Sequence, residues 1–181
     1  LWGWGYNLFG QIGDGTTVNK SSPVQIGTSS WTAIATGWNH TLAIRSDGTL
    51  WAWGLNSQGS LGDGTTVDKS SPVQIGTSSW NAVLACGSYT NYVLKNDGAL
   101  WVWGYNASGQ IGDGTTVNKS SPVQLGTSSW TTVAGGRDHV LAIRSDSTLW
   151  VWGQGNFGQL GDGTTVSKSS PIQIGTSSWA A

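Results

Sequence analysis

The 181-residue chain combines 28 Gly and 13 Trp with only 9% charged residues and a net charge of −1. Met and Glu are absent, while glycine, hydroxyl, β-branched and tryptophan residues dominate, so the composition excludes a mainly helical protein. The eight Lys and Arg form no basic cluster, which argues against nucleic-acid binding. No apolar segment approaches the roughly 20 residues of a membrane-spanning helix, so we expect no membrane insertion. We predict an all-β fold.

Four short motifs recur in the same order along the chain. LWxWG begins at Leu1, Leu50, Leu100 and Leu149, with spacings of 49, 50 and 49 residues. The segment GDGTTV then occurs at 13–18, 62–67, 112–117 and 161–166, and each copy is followed by KSSP and GTSSW. A fixed period of about 50 residues predicts a repeat architecture.

One repeat unit contains four predicted strands. We place them at 31–37 (WTAIATG), 40–46 (HTLAIRS), 49–54 (TLWAWG) and 72–76 (PVQIG). The dipeptide Asp47-Gly48 predicts a hairpin between the second and third strands. Four short strands in about 50 residues are typical of one β-propeller blade, which must stack on its neighbours to bury both faces.

The chain supplies about three and a half such units. Residues 31–79, 80–129 and 130–178 each form a predicted four-stranded antiparallel blade, and residues 1–30 form the outer half of a preceding blade. An open arc of this size would expose an apolar blade face. We therefore expect either a segment of a longer propeller, which we favour, or copies that associate to complete a ring.

The pattern GxxHTLAIxxDGxLWxWGxNxxGxLGDG, from Gly37 to Gly64, resembles the regulator of chromosome condensation repeat. This resemblance extends along the whole chain and implies a β-propeller, commonly of seven blades. It implies function only weakly, since members of this family include nucleotide exchange factors, a plant ultraviolet-B photoreceptor and enzyme inhibitors.

Two repeated features have both a structural and a ligand-binding interpretation. GDGTTV predicts a connecting turn, with a sugar or cation site as the alternative; a single Asp per copy is too few for a calcium loop. The twelve repeated Trp predict packing between blades, with sugar stacking as the alternative. They are Trp2, Trp4, Trp31, Trp51, Trp53, Trp80, Trp101, Trp103, Trp130, Trp150, Trp152 and Trp179.

Few residues are candidates for chemistry. Arg137, Asp138 and His139 are the densest polar cluster, yet no nucleophile stands out beside them, and too few ligands are present for a metal. His40 and His139 share one repeat position, where we expect hydrogen bonds to the propeller backbone. The single Cys86 allows no internal disulfide. We predict no enzyme activity, no cofactor and no metal site.

The positions that differ between units predict a binding surface. One variable loop per blade contains the candidate partner-binding residues, although neutral drift at a tolerant loop is an alternative explanation. These residues are Trp38, Asn39, Ser88, Tyr89, Thr90, Arg137 and Asp138. A second variable segment follows each LWxWG, where Phe9 and Phe157 are predicted to be exposed aromatics.

These features lead to one principal hypothesis and a rival. The principal hypothesis is a non-catalytic scaffold that binds a protein partner or its own copies, in a larger surface or secreted protein. The rival is a multivalent carbohydrate-binding propeller. An exchange factor is less favoured because the units differ by only one inserted residue, between Trp80 and Gly87, for which we predict a β-bulge. Trp38 lies in GWNHT, which is similar to a motif of the ultraviolet-B photoreceptor, but here only one blade carries this Trp.

Overall fold

The computed structural model describes residues 1–179, and the regular elements in that range are all β-strands. The strands are β1 (Trp2–Gly5), β2 (Lys20–Gln25), β3 (Trp31–Thr36), β4 (His40–Arg45), β5 (Leu50–Gly54), β6 (Lys69–Gln74), β7 (Ala82–Cys86), β8 (Thr90–Lys95), β9 (Leu100–Gly104), β10 (Lys119–Gln124), β11 (Trp130–Gly135), β12 (His139–Arg144), β13 (Leu149–Gly153) and β14 (Lys168–Gln173). Across residues 1–179 there is no helix long and apolar enough to cross a membrane. The predicted all-β fold is confirmed.

The strands form four antiparallel sheets in which neighbours in the chain are neighbours in space. Strands β1 and β2 make a two-stranded sheet, and β3–β6, β7–β10 and β11–β14 make three four-stranded sheets. Each four-stranded sheet is one blade, and the two-stranded sheet is the outer half of another. The expected three and a half blades are therefore present, while the exact unit boundaries at 30/31, 79/80 and 129/130 stay a prediction.

The hairpin between β4 and β5 shows why each blade folds locally. Gly48 adopts a φ of 82°, a left-handed conformation that glycine tolerates without steric cost. The Asp47 carboxylate accepts hydrogen bonds from the backbone N–H of Thr49 at 2.9 Å and from its hydroxyl. The turn therefore sets the β4–β5 register, in which Ile44 pairs with Leu50.

The hydrophobic core lies between the blades. One face of the second blade, with Leu42 and Ile75, packs against Trp80, Val93 and Trp103 of the third blade. The corresponding face of the third blade packs in the same way against the fourth. Because each blade buries its faces only against neighbours, the stability of the arc comes from stacking.

The outer strand of each blade begins earlier than the sequence analysis predicted. In the second blade it extends over Lys69–Gln74 rather than 72–76. Lys69 pairs with Gly54 and Val73 pairs with Ala52, so four residue steps on β6 oppose two on β5. Pro72, which has no N–H to donate, lies inside this irregular stretch, so the proline does not mark the start of the strand.

The predicted bulge at the inserted residue is also wrong. Strand β7 pairs with β8 without a register shift from Ala82 to Cys86. The bulges lie instead in the blades that lack the insertion, where β3 and β11 shift register beside Trp31 and Trp130. In the third blade the extra residue lies before β7, and β7 itself pairs without a bulge.

Candidate partner-binding face

Three loops that connect the first and second strands of successive blades lie side by side. The backbone N–H of Trp38 donates to the Ser88 carbonyl at 3.0 Å, and the N–H of Ser88 donates to the Arg137 carbonyl at 3.1 Å. Backbone hydrogen bonds between blades thus join the three loops into one row. The loop positions that vary in sequence become neighbours in space.

The second variable segment of each blade is held against the first. Backbone hydrogen bonds run from Leu55 N to Asn39 O at 2.8 Å, from Tyr105 N to Tyr89 O at 3.0 Å and from Gln154 N to Asp138 O at 2.7 Å. The first residue of each second variable segment, 16 residues further along the chain, therefore lies against the first variable loop of the same blade.

Aromatic side chains and one arginine cover this surface. The Trp38 and Tyr89 rings lie 5.9 Å apart, and Tyr89 meets Tyr105 edge to face at 6.5 Å. The Arg137 guanidinium carbon lies 5.6 Å from the centre of the Trp38 ring. Trp38 is nevertheless 62% exposed. We call this surface the loop face and define it by Trp38, Ser88, Tyr89, Tyr105, Arg137 and Asp138.

The Asp138 carboxylate is occupied by neighbours on the loop face. It forms an ion pair with Arg137 Nε at 3.2 Å and accepts a hydrogen bond from Gln110 Nε2 at 3.3 Å. These contacts direct the carboxylate toward Arg137 and Gln110. If His139 were a catalytic base, the Asp138 carboxylate would have to orient its imidazole. The Asp138 carboxylate therefore belongs to a polar cluster with Arg137 and Gln110.

Two open grooves flank the row of loops. One, of about 480 Å³, runs along the loop glycines between Trp38 and Arg137. The other, of about 450 Å³, lies between Tyr89 and Tyr105 and is lined by hydroxyl and amide groups, including Gln58. Both are large enough to receive a protruding side chain of a partner.

The structure changes the membership of the predicted site. Thr90 is buried, and its hydroxyl donates to the Tyr105 carbonyl at 2.7 Å, so it supports the loop rather than facing a partner. Asn39 is half-buried and lies within 3.4 Å of Gln11. Tyr105 was not among the predicted site residues, although its position in the second variable segment could have indicated it.

The two phenylalanines predicted as exposed aromatics differ. Phe157 is 85% exposed, as expected. Phe9 is only half-exposed and packs edge to face on Tyr6, with 6.2 Å between ring centres. Neither belongs to the loop face, so Phe157 provides an exposed aromatic side chain for comparison with Trp38.

The GDGTTV segments are connecting turns, as predicted. In the first unit, the Asp14 carboxylate binds Lys20 Nζ at 3.0 Å and accepts from the Thr16 hydroxyl at 2.8 Å. Burial opposes ionisation, but the hydrogen bonds from Lys20 and Thr16 outweigh it and lower the pKa of Asp14 to about 2. Every copy makes the same Asp–Lys pair. Each carboxylate is therefore paired with the Lys that begins the following strand.

Three of the repeated tryptophans, one in each complete blade, pack between blades as predicted, whereas Trp2, Trp4 and Trp179 are exposed. The indole Nε1 of Trp53 donates to the Gln11 carbonyl of the preceding blade at 2.9 Å, and Trp53 is 1% exposed. Trp103 and Trp152 repeat this bond at 3.1 and 2.8 Å. These buried rings offer no surface on which a sugar could stack.

The described residues contain no group of three or more His, Cys, Asp or Glu that could hold a metal ion. His40 is buried, and its Nε2 lies 2.7 Å from the Asn91 side-chain oxygen, so its partner is a side chain rather than the backbone that we predicted.

Comparison with known proteins identifies the repeat. The family model of the regulator of chromosome condensation (RCC1) repeat matches residues 1–44, 47–94, 97–143 and 146–179. The ultraviolet-B receptor UVR8 of Arabidopsis thaliana is 43% identical over 47 residues, which are 24% of this chain and 11% of the receptor.

Solved structures show the same fold. Human WBSCR16 superposes with a TM-score of 0.84 at 25% identity, over 97% of this chain and 48% of that protein. Prp20p from Saccharomyces cerevisiae gives 0.82 at 25% identity, over 97% and 46%. Yeast RCC1 (Prp20) bound to Kap60 gives 0.83 at 22% identity, over 97% and 44%. The chain spans less than half the length of each of these structures. It belongs to the regulator of chromosome condensation (RCC1) repeat family.

Proposed function

We propose that this chain is a non-catalytic β-propeller module that binds a protein partner through its loop face. The observation that carries the proposal is the row of three hydrogen-bonded loops, which assembles Trp38, Tyr89 and Arg137 from three different blades. Each residue occupies a position that varies between otherwise near-identical units. Variation confined to one face of a repeat array is typical of a binding surface.

The chemistry of the loop face suits a protein interface. Tryptophan, tyrosine and arginine are the residues most enriched among those that dominate binding energy. Contacts with Tyr89 and Arg137 restrict the exposed Trp38 ring before any partner arrives, which lowers the entropy cost of ordering it. The flanking grooves would receive side chains from a partner on either side of this ring.

Relatives support the general class of function. Yeast RCC1 (Prp20) has been solved bound to Kap60, and Prp20p is described with binding properties to Gsp1p and histones. Those partners belong to the yeast protein. What they support here is the use of an RCC1 propeller as a protein-binding surface.

A carbohydrate ligand is the second candidate, at a single site rather than at several equivalent sites. Three buried repeated tryptophans, Trp53, Trp103 and Trp152, cannot provide the equivalent sites of a multivalent lectin. The groove between Tyr89 and Tyr105 combines aromatic rings with the amide of Gln58 and the carboxylate of Asp138. A sugar would bind at that single place, by stacking and hydrogen bonding.

A displayed peptide library selected on the wild-type chain tests the protein-binding proposal. Peptides that bind the loop face should lose affinity about 30-fold or more for Trp38→Ala, the effect of removing a dominant interface residue. Phe157→Ala is the matched control, since it removes a more exposed aromatic residue outside the loop face. Binding to this control should equal binding to the wild type.

Two outcomes would contradict the proposal. Selected peptides that bind wild type and Trp38→Ala equally would place recognition elsewhere. A glycan array that gives saturable binding, abolished by Tyr105→Ala while peptides give none, would replace the protein partner with a sugar.

A further inference from the structure

Two glutamines in the wall of the groove of about 450 Å³ have their side-chain oxygens occupied by the protein itself. The Gln58 oxygen accepts a hydrogen bond from Asn118 Nδ2 at 2.7 Å. The Gln154 oxygen accepts from Gln159 Nε2 at 3.2 Å. A side-chain amide carries two N–H donors besides its oxygen, so each glutamine offers hydrogen-bond donors to a ligand in the groove.

The charged pair in the same groove is arranged in a similar way. Asp138 Oδ1 accepts from Gln110 Nε2 at 3.3 Å, and Asp138 Oδ2 pairs with Arg137 Nε at 3.2 Å. The exposed guanidinium has further N–H donors on its outer nitrogens. The carboxylate and amide oxygens of the groove are thus engaged, its two charges neutralise each other, and donors remain. We call it the donor groove, after the donors of Gln58, Gln154 and Arg137.

Three aromatic rings form a row beside the donor groove. The ring centres of Trp38 and Tyr89 lie 5.9 Å apart, and those of Tyr89 and Tyr105 lie 6.5 Å apart. Because a polyproline II helix advances about 3.1 Å per residue, the row extends along at most about four residues of such a segment. The backbone hydrogen bonds between the loops set this spacing before a ligand binds.

We propose that the loop face binds an uncharged, proline-rich segment of its partner in the polyproline II conformation. This inference rests on the proposed protein-binding function and adds the chemistry of the partner. Proline has no N–H, so a proline-rich segment offers carbonyl acceptors and few donors, which complements the donor groove. Its pyrrolidine rings pack on Trp38, Tyr89 and Tyr105, since aromatic-lined surfaces suit this preformed conformation.

Other ligand classes match the donor groove less well. An α-helix has its backbone carbonyls bonded internally along most of its length, so it offers few acceptors to the amides. An acidic peptide would meet an arginine whose charge Asp138 already neutralises. A carbohydrate brings hydroxyl donors as well as acceptors, and the engaged oxygens of Gln58 and Gln154 suit those donors poorly.

Two synthetic peptides of identical composition test the bound conformation. Short L-polyproline and D-polyproline, both acetylated and amidated, are titrated into the isotopically labelled wild-type chain, and side-chain N–H signals are followed by NMR. L-polyproline should bind saturably and shift the signals of Trp38, Gln58 and Gln154. Its mirror image should bind at least about tenfold more weakly, because the surface is chiral. Equal binding of the two peptides, or no binding of L-polyproline, would overturn the proposal.

Gln58→Glu tests the donor chemistry. Glutamate keeps an oxygen for Asn118 but replaces the amide donor with a carboxylate, so the affinity for L-polyproline should fall about tenfold or more. Asn156→Asp is the matched control, since it makes the same change of group at an exposed position outside the groove, where the oxygen accepts from Ser167. This control should bind like the wild type. An unchanged affinity of Gln58→Glu, folded as judged by circular dichroism, would contradict the role of the donor groove.

The displayed peptide library separates this inference from the proposed function. Peptides selected on the wild-type chain should be rich in proline and should lose binding to both Trp38→Ala and Gln58→Glu. Peptides that depend on Trp38 but lack proline would overturn the polyproline inference and leave the loop face as a protein-binding surface. A selection in which no peptide depends on Trp38 would overturn both.

Discussion

His40 Nε2 and the side-chain oxygen of Asn91 lie 2.7 Å apart and join two neighbouring blades in the buried interior. Asn91 is fixed in turn, because its amide donates to the Ser60 carbonyl at 2.6 Å. Burial of the imidazole lowers the pKa of His40 to about 4, although the bond to Asn91 acts in the opposite direction. The folded protein therefore holds His40 in the neutral form.

This pKa predicts a loss of stability in mild acid. In the unfolded chain His40 titrates near its ordinary value of 6.5, so the unfolded state takes up a proton first as the pH falls. The contribution is fully present above pH 6.5 and is lost between pH 6.5 and about 4, at a cost of roughly 3 kcal/mol. Urea unfolding at a series of pH values measures it.

Replacing the buried imidazole tests this pH dependence. His40→Gln should flatten the free energy of unfolding over that range. A wild-type free energy that does not change between pH 7 and 5 would contradict the buried neutral imidazole.

Asn56 should be one of the most sensitive positions in the loops. Its buried amide donates to the carbonyls of Thr65 and Val67 at 3.1 and 3.2 Å, and its oxygen accepts from the Leu61 N–H at 2.9 Å. Asn56→Ala leaves these groups without partners and should cost about 2–4 kcal/mol in urea unfolding. Asn156→Ala, at an exposed position, should change stability by less than about 0.5 kcal/mol. Equal effects of the two substitutions would show that the amide does not hold the loop.

Ser147 has a backbone conformation that suits glycine better. Its φ is 66°, whereas the same turn position in the other two complete blades is Gly48 or Gly98. Because a left-handed residue with a Cβ costs about 1–2 kcal/mol, Ser147→Gly should raise the free energy of unfolding by about 1 kcal/mol. Ser145→Gly in the same loop should give no increase. Thermal unfolding checks both, and a lower melting temperature for Ser147→Gly would contradict the strain.

Cys86 should react slowly with thiol reagents in the folded protein. Burial raises the pKa of its thiol to about 12, so little thiolate exists at pH 8. The rate with an aromatic disulfide reagent should be roughly a thousand-fold lower in buffer than in denaturant, in proportion to the thiolate fraction. The double variant Cys86→Ser with Ser88→Cys places the thiol on the loop face and should react rapidly. Cys86 is half-buried, so a fast reaction of the native thiol would contradict its raised pKa.

The loop-face interactions should contribute to recognition more than to stability. The Arg137 side chain is exposed, and exposed ion pairs contribute about 0–1 kcal/mol. Arg137→Ala should therefore leave the melting temperature nearly unchanged while it weakens binding of peptides selected on the wild-type chain. A large loss of stability would instead assign Arg137 a structural role.

The amino-acid sequence by itself determined the all-β fold, the period and the four strands of each blade. These features depend on local chemistry that recurs along the chain, such as the turn at Asp47-Gly48. The packing role of Trp53 and the turn at Asp14 were predictable for the same reason. Their interactions are repeated, so four copies of one pattern point to one structure.

Only the tertiary structure decided which variable positions meet. Tyr105 belongs to the loop face because its backbone N–H donates to the Tyr89 carbonyl. Thr90 is excluded because it is buried and its hydroxyl donates to the Tyr105 carbonyl. The shift of the bulge away from the inserted residue also depends on pairing with β8. Contacts between strands of the same blade set these features, and a local sequence pattern does not specify those contacts.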